Sequence, residues 1–205
     1  RVMEEARAAR YNLMRAYCAA HDIGRLFLAH HRDDQAETFL IRLSKGSGLD
    51  GLAGMAPQQD YRGLRLVRPL LSVSKADLAA LCAAQDIPYL EDPSNENPAF
   101  LRPRLRRARA VLEEEGLSSK RLAVTAARLL RARAALEQMS ENAFDDALIE
   151  RDDDRLVFDL MQWRAYPEEI RLRLVLKALG LFRDGAAYGL RMDRADRTQI
   201  GRAHV

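Results

Sequence analysis

Three carboxylates and two imidazoles lie within residues 30–38, His-His-Arg-Asp-Asp-Gln-Ala-Glu-Thr. The apolar run before them, residues 26–29, has the length and composition of a buried parallel strand. In open α/β sheets, ligands bind where such strands end and helices begin, because the carboxyl ends of the strands form a crevice there. The segment therefore predicts a nucleotide or metal site.

The acidic side chains of this segment have two interpretations. A helix that begins near Asp33 or Asp34 places Asp34 and Glu37 on one face, where they could bind a cation. Mg²⁺ takes one or two protein carboxylates and fills its other positions with water and phosphate, whereas zinc prefers several His or Cys ligands that are absent here. The same residues, Asp34-Gln35-Ala36-Glu37, have the form of a capping box that only completes the helix start. Both interpretations stay open for Asp34 and Glu37, and His31 could be a polar residue of the turn.

A second short motif, Lys45-Gly46-Ser47-Gly48, follows the helix. Glycine commonly ends helices, so the motif is typical of a C-cap. Alternatively, its amides and the lysine approach an anion.

The elements around these motifs alternate between helix and strand. The pattern predicts a helix over residues 3–20, with apolar residues at helical spacing at Ala6, Ala9, Leu13, Tyr17 and Ala20. Strands are predicted at residues 26–29 and 64–67, a loop between residues 49 and 67, and a helix over residues 76–85. Residues 87–89 are predicted to be extended, and residues 91–98 to form a rigid turn-rich loop. This order predicts the α/β class with a parallel sheet.

The second half of the chain has a different composition. Helix formers dominate residues 102–149, residues 155–160 alternate like a strand, and residues 168–181 are typical of an amphipathic helix with Ile170, Leu174 and Leu176 inward. We therefore predict a sheet domain over residues 1–110, followed by a mainly helical second domain over residues 111–199.

Charge is unevenly distributed along the chain. The net charge is +3, but residues 101–134 contain nine Arg and one Lys against three Glu, a net charge of +7 that leaves −4 elsewhere. The basic stretch favours an anionic polymer as partner, although arginines on a solvated helix face would give the same composition.

Composition also excludes several classes. The sequence has no run of eighteen apolar residues and no secretory pattern at residues 1–7, so we expect neither a membrane span nor export. Cys18 and Cys82 lack ligand spacing and are expected to be buried thiols in a reducing cytoplasm. A hydrophobic content of 48% is enough to bury a core, so we expect a soluble globular protein.

Both ends of the sequence look artificial. The first helix pattern is already under way at Glu4 without a start methionine, so we expect an N-terminal part to be missing. Residues 200–205, Ile-Gly-Arg-Ala-His-Val, can be back-translated into a common sequencing-adapter sequence, and we treat them as a tail of non-biological origin.

An ordered series of motifs resembles the tRNA(Ile)-lysidine synthetase family of the PP-loop ATPases over about residues 4–115. The series comprises residues 31–38, Lys-Gly-Ser-Gly-Leu-Asp-Gly-Leu at 45–52 with Met55, Arg-Pro-Leu-Leu at 68–71 with Lys75, Glu-Asp-Pro-Ser-Asn at 91–95, the arginine-rich residues 100–106, and Glu5 with Arg10-Tyr11.

The resemblance implies an enzyme that uses ATP to adenylate C2 of the wobble cytidine in the CAU anticodon of tRNA(Ile). The amine of free L-lysine then displaces AMP to form lysidine. Asp34 matches the acidic position that would hold Mg²⁺, with His31 and Glu37 as further catalytic residues. His30, Asp33, Lys45, Gly46 and Gly48 would line the nucleotide pocket. The tRNA phosphates would be bound by Arg102, Arg104, Arg106, Arg107 and Arg109.

Three departures from the family pattern qualify this expectation. The Ser-Gly-Gly-x-Asp-Ser phosphate loop is absent, Lys45 stands where many members carry Arg, and Pro103 interrupts a segment often written with Asn or Val. Without the phosphate loop, we expect the 205-residue chain to be inactive by itself. There are two alternatives: another PP-loop enzyme that inserts sulfur into tRNA, and a non-catalytic RNA-binding module. The oligomeric state is left open, and a homodimer is one arrangement.

Overall fold

The computed structural model describes residues 2–90, 101–152 and 155–181. Contacts divide the chain into two compact units, residues 1–130 and 131–205, which lies later in the chain than the predicted boundary near residue 110. No helix within the described ranges is long and apolar enough to cross a membrane. The predicted loop at residues 91–98 and the suspected tail at residues 200–205 lie outside the described residues.

A three-stranded sheet forms the centre of the first unit. Its order is β1 (Arg25–Phe27), β3 (Leu64–Val67) and β2 (Gln58–Tyr61), with β1 parallel and β2 antiparallel to β3. β2 and β3 join through Arg62 and Gly63, which have φ angles of 54° and 86°. Two positive φ angles match the twist of a two-residue hairpin, which explains how the polar β2 forms inside a predicted loop.

Helix α1 (Val2–Ala20) packs on the sheet through a different face from the one with the apolar spacing. Tyr11 and Cys18 are buried with Leu64 and Leu66 of β3, whereas Leu13 is 72% exposed. The predicted helix is confirmed, but the apolar spacing at Ala6, Ala9, Leu13, Tyr17 and Ala20 marks an exposed face of it. Alanine-rich sequence gives two similar apolar faces, and the alternation of Leu64 and Leu66 on β3 selects the larger Tyr11 side chain for burial.

Helical layers complete the first unit. After β1 come α2 (Arg32–Leu43) and the short α3 (Leu49–Leu52), and after β3 come α4 (Lys75–Ala84), α5 (Leu101–Arg107), α6 (Arg109–Glu114) and the start of α7 (Ser119–Ala147). Ala36 and Phe39 of α2 are buried against Leu122 and Ala126 of α7. The strand predicted at residues 26–29 is shorter and shifted to Arg25–Phe27, with Phe27 66% exposed, and the described residues 87–89 form no strand.

The second unit has its own core. α7 ends at Ala147, where β4 (Leu148–Arg151) begins an antiparallel pair with β5 (Leu156–Phe158), followed by α8 (Leu160–Ala165) and α9 (Glu168–Leu181). Ala143, Phe144, Ile170 and Leu174 form the buried cluster, with Trp163 packed against it. The helix predicted over residues 168–181 is confirmed with Ile170 and Leu174 inward, and Leu176 is half-buried.

The predicted fold class, an α/β sheet followed by a mainly helical part, is confirmed. The elements that the sequence did not predict are α3, β2, β4 and α8.

Candidate active site

Helix α2 starts at Arg32, one or two residues earlier than its sequence predicts. His31 is the N-cap: its Nδ1 accepts a hydrogen bond from the Asp34 amide at 3.3 Å, and Asp34 Oδ2 accepts one from the His31 amide at 3.1 Å. The capping box is therefore His31–Asp34, and the predicted box of Asp34 and Glu37 is wrong. The imidazole can act as the cap because its unprotonated nitrogen is an acceptor, which leaves Glu37 free for other contacts.

A second helix start lies directly against the first. Ser74 caps α4 in a capping box with Asp77. The Arg32 amide donates to the Val73 carbonyl at 2.9 Å, and the Lys75 amide donates to Asp33 Oδ2 at 2.7 Å. Asp33 is thus an external cap for α4, and the two helix starts are held side by side.

Asp33 is a buried carboxylate that stays ionised. Burial alone would raise its pKa, but the Lys75 amide, the Ser119 hydroxyl and the Arg109 guanidinium together hold the pKa below its usual value. Arg109 Nη1 lies 3.0 Å from Asp33 Oδ1. The negative charge at this position is therefore already matched within the protein.

Glu37 is also buried, with 9% of its side chain exposed, and faces α5. Arg106 donates to it through two nitrogens, with Nε 2.5 Å from Oε1 and Nη2 3.4 Å from Oε2. Arg102 Nε lies 3.8 Å from Oε2. This forked pairing is the geometry in which a guanidinium binds a carboxylate most strongly.

His30 follows β1, and its surroundings lower the pKa of its imidazole. Burial lowers its pKa, the Asp34 carboxylate raises it, and the guanidinium groups of Arg68, Arg7 and Arg102 lower it further. Its Nδ1 atom is buried and has no hydrogen-bond partner among the described residues. A neutral imidazole with an unused nitrogen is suited to donating to or accepting from a ligand.

A cavity of about 240 Å³ lies between α2 and helices α5–α7 of the first unit. Both sides of the cavity mix apolar and charged side chains: Asp33 and Glu37 line it from α2, and Arg106 and Arg109 line it from α5 and α6. It is lined by His31, Asp33, Ala36, Glu37, Leu40, Lys75, Leu105, Arg106, Arg109, Leu112, Leu117, Ser119 and Leu122. Three predicted residues, His31, Asp33 and Glu37, thus line this cavity, whereas Asp34 and His30 are not among its lining residues.

The motif at residues 45–48 lies at the opposite end of α2. A helix of twelve residues is about 18 Å long, so Lys45, Gly46 and Gly48 are not brought to the acidic turn. The Lys45 and Ser47 amides donate to Arg42, and the Gly46 amide donates to Leu43. These three amides complete the helix end, as the C-cap interpretation predicts, and Gly48 is the N-cap of α3; the nucleotide role of Lys45, Gly46 and Gly48 stays a prediction.

The arginines of α5 and α6 divide into two groups. Arg102, Arg106 and Arg109 contact the carboxylates of α2, whereas Arg104 is exposed and makes no ion pair within the part of the chain that the structure describes. Arg107 is exposed and has an interaction of its own. The role predicted for all five, phosphate binding, stays a prediction.

A magnesium ion would find one protein carboxylate here. Among the described residues, no group of three or more His, Cys, Asp and Glu side chains is arranged to hold a metal ion. Both contacts of the Asp34 carboxylate in the turn involve Oδ2, at 3.1 Å from the His31 amide and 3.5 Å from His31 Nε2. Oδ1 can therefore accept a cation whose other ligands are water and phosphate.

Sequence reasoning missed the polar residues that support the turn. Gln35 Nε2 donates to the Met55 carbonyl at 2.9 Å, and the Met55 amide donates to Gln35 Oε1 at 2.8 Å. Arg68 is buried and donates to the Ala56 carbonyl at 2.8 Å. Charge complementarity between the acidic turn and the basic residues 101–109 was the one signal that could have predicted the contacts of Arg106 and Arg109.

Comparison with known proteins identifies the class to which this fold and site belong. The family model for the PP-loop domain matches residues 1–114, and the chain belongs to this family. This match covers the sheet, the acidic turn, α5 and α6, and it ends before α7.

The closer similarity is to tRNA(Ile)-lysidine synthases, as the sequence motifs predicted. The chain is 42% identical over 203 residues to that of Methylobacterium sp. (strain 4-46), covering 98% of this chain and 59% of the relative. It is 41% identical over 214 residues to the synthase of Bradyrhizobium sp. (strain BTAi1 / ATCC BAA-1182), and this match covers 98% of this chain and 60% of the relative. The chain is 36% identical over 178 residues to the synthase of Wolbachia sp. subsp. Brugia malayi (strain TRS), and this match covers 87% of this chain and 41% of the relative. The chain thus spans about three fifths of the length of the first two relatives.

Proposed function

We propose that this chain is part of an ATP-dependent ligase that forms lysidine at the wobble cytidine of tRNA(Ile) with a CAU anticodon. The observation that carries the proposal is the acidic turn at the start of α2, which faces a basic helical segment across a cavity. Membership of the PP-loop family supports ATP as the activating substrate, and the names of the relatives support tRNA(Ile) and lysidine formation. L-lysine as second substrate follows from that reaction.

The residues of the turn have separate proposed roles. Asp34 would hold Mg²⁺ together with nucleotide phosphates, and the ion would offset phosphate charge during adenylation. His31 and Glu37 would position the reacting groups, and His30 and Asp33 would shape the nucleotide pocket. Lys45, Gly46 and Gly48 lie at the far end of α2, so a nucleotide role for them now lacks geometric support.

The basic residues Arg102, Arg104, Arg106, Arg107 and Arg109 would contact tRNA phosphates. Arg104 is the strongest candidate because it is exposed and makes no ion pair with a described residue. Residues 1–110 would carry adenylation and residues 111–199 further tRNA contacts. We expect the enzyme to act in the cytoplasm, and a homodimer stays a prediction.

Activity is tested in a chimera, in which this chain replaces the matching segment of the Methylobacterium synthase. We expect ATP-dependent incorporation of labelled lysine into a tRNA(Ile) transcript, and a loss of roughly 100-fold in Asp34→Asn. Asparagine keeps an acceptor for the His31 amide, so the loss would report the missing charge. The exposed Glu114→Gln is the control. An unchanged rate in Asp34→Asn would remove the metal role and favour the RNA-binding module.

RNA binding is tested on the chain itself. Arg104→Gln should weaken binding of the transcript and lower the slope of log affinity against log salt by about 1, because one phosphate contact is lost. Arg65→Gln, an exposed arginine of β3, is the matched control. Equal effects of the two variants would contradict a specific role for Arg104.

A further inference from the structure

Arg106 lies at the rim of the cavity between solvent and a buried carboxylate. Its side chain is 37% exposed, whereas that of Glu37 beneath it is 9% exposed. All the hydrogen bonds and ion pairs of Arg106 with described residues are made with Glu37, through Nε and Nη2. An anion that approaches from solvent therefore meets the guanidinium before it meets the carboxylate.

Phosphate and carboxylate oxygens use the same two-donor edge of a guanidinium. In this structure Glu37 occupies the Nε and Nη2 edge of Arg106. Arg109 differs, because its Nε donates to the exposed Glu113 at 2.9 Å and only Nη1 reaches Asp33. Arg106 is thus the rim arginine whose best edge is held by a cavity carboxylate.

We propose that a backbone phosphate of bound RNA competes with Glu37 for Arg106, so that RNA docking releases the Glu37 carboxylate from its forked pair and leaves Arg102, whose Nε lies 3.8 Å from Oε2, as its remaining arginine contact. The inference rests on the proposed function and adds a coupling between the RNA surface and the site. RNA is favoured as the source of the phosphate because residues 101–134 carry a net charge of +7, which suits an extended polyanion. The exposed Arg104 lies on the same helix and extends the basic surface toward solvent.

Coupling of this kind has a thermodynamic signature. If RNA must displace Glu37 from Arg106, the free energy of the Glu37–Arg106 pair is subtracted from the free energy of RNA binding. Removal of the carboxylate should therefore raise the affinity for RNA by that amount. A charge-assisted pair of this geometry corresponds to a gain of roughly three- to tenfold in RNA affinity. The gain must disappear when Arg106 is absent.

The experiment measures binding of the CAU-anticodon tRNA(Ile) transcript and, separately, of ATP by the chain. Glu37→Gln should tighten transcript binding by roughly three- to tenfold. Arg106→Gln should weaken it, and the double variant should bind as Arg106→Gln does. Glu114→Gln makes the same charge change at an exposed position near α5 and should show a clearly smaller effect. Arg106→Lys keeps the positive charge but removes the two-nitrogen edge that holds Glu37, so the effect of Glu37→Gln should shrink in that background. This comparison tests the proposal even if Arg106→Gln fails to fold.

Each contrary outcome has a separate meaning. Equal affinities of the wild type and Glu37→Gln would overturn the competition, as would a gain that persists in both Arg106 backgrounds, since that would be a general charge effect. A gain for ATP without a gain for the transcript would overturn RNA as the source of the phosphate. A wild-type chain that does not bind the transcript would remove the RNA-binding part of the proposed function and this inference with it.

Discussion

At the scale of single residues, the three carboxylates of the acidic turn have three different environments. Asp34 caps its own helix, Asp33 caps a neighbouring helix, and Glu37 is held by a guanidinium. The contacts of Asp34 in the turn use Oδ2 alone, whereas Asp33 Oδ1 lies 3.0 Å from Arg109 Nη1 and both Glu37 oxygens face arginines. This division separates a candidate metal ligand from two charges that the protein itself has already matched.

His30 should make the stability of the first unit depend on pH. Its pKa is lowered in the folded protein from an ordinary value of 6.5, so the unfolded chain binds a proton that the folded chain does not. The free energy of unfolding should therefore be highest above pH 6.5 and fall as the pH drops through the folded pKa.

Urea titrations of the wild type at several pH values, followed through the Leu66 methyl NMR signals, measure this dependence. His30→Asn should flatten the slope below pH 6.5, because asparagine has no proton to gain. The same slope in the wild type and in His30→Asn would contradict the assignment.

The contacts of Glu37 illustrate what a sequence can and cannot predict at this scale. The residue types and their position after a strand were enough to predict a site at the start of α2. The pairing with Arg106 was not predictable, because 69 positions separate the two residues and only the packing of α5 on α2 brings them together.

At the scale of elements, the turn after α3 is held to α2 by two side chains: Gln35, and Arg42, whose Nη1 donates to the Gly51 and Gly54 carbonyls at 2.6 and 3.1 Å. The side-chain amide of Gln35 donates to the Met55 carbonyl and accepts from the Met55 amide. Gly54, which directly precedes Met55, has a φ of +70°. A Cβ at Gly54 would lie 2.8 Å from Gln35 Oε1. Gln35 could move away only by breaking its buried bonds to Met55.

Gly54→Ala should therefore cost more than Gly63→Ala. Both glycines have positive φ angles, but a Cβ at Gly63 would meet nothing within 4 Å. The backbone term is about 1–2 kcal/mol in both variants, and the lost Met55 bonds add about 1–3 kcal/mol at Gly54 alone. The free energies of unfolding, measured in urea through the Leu66 signal, give the difference. Equal costs would show that Gln35 adapts without loss.

Periodicity predicted the elements whose apolar pattern is unambiguous. The strand at Leu64–Val67 and the helix at Glu168–Leu181 have the predicted bounds. The pattern failed for α1, where two faces of an alanine-rich helix compete, and for β2, whose Gln-Gln-Asp-Tyr sequence pairs because of its turn. Both depend on neighbours that a local pattern does not include.

At the scale of the whole molecule, the two compact units have separate hydrophobic clusters. Leu66 is 2% exposed in the first, and Leu174 is fully buried in the second. The single Trp of the chain, Trp163, packs in the second cluster against Phe158. Its fluorescence therefore reports on the second unit.

Leu174→Ala should lower the unfolding midpoint seen by Trp163 fluorescence, since it removes a buried side chain worth about 2–5 kcal/mol. Leu66→Ala is the same type of substitution in the first unit. It should lower the unfolding midpoint seen by Trp163 fluorescence less, and it should lower the midpoint seen through methyl signals of the first unit. Equal shifts of the Trp163 signal by the two variants would mean that the units unfold as one.

The paired starts of α2 and α4 close a loop at its base. Arg32 bonds Val73 and Asp33 bonds Lys75, so the ends of the intervening segment are fixed to each other. Changes in chain length at the exposed turn of Arg62 and Gly63 would alter the periphery of this loop and leave its base in place. An insertion between His31 and Asp34 would break the two hydrogen bonds of the His31–Asp34 capping box. The hairpin turn is thus the natural insertion point of this domain, and the acidic turn is a place where the length of the chain is fixed.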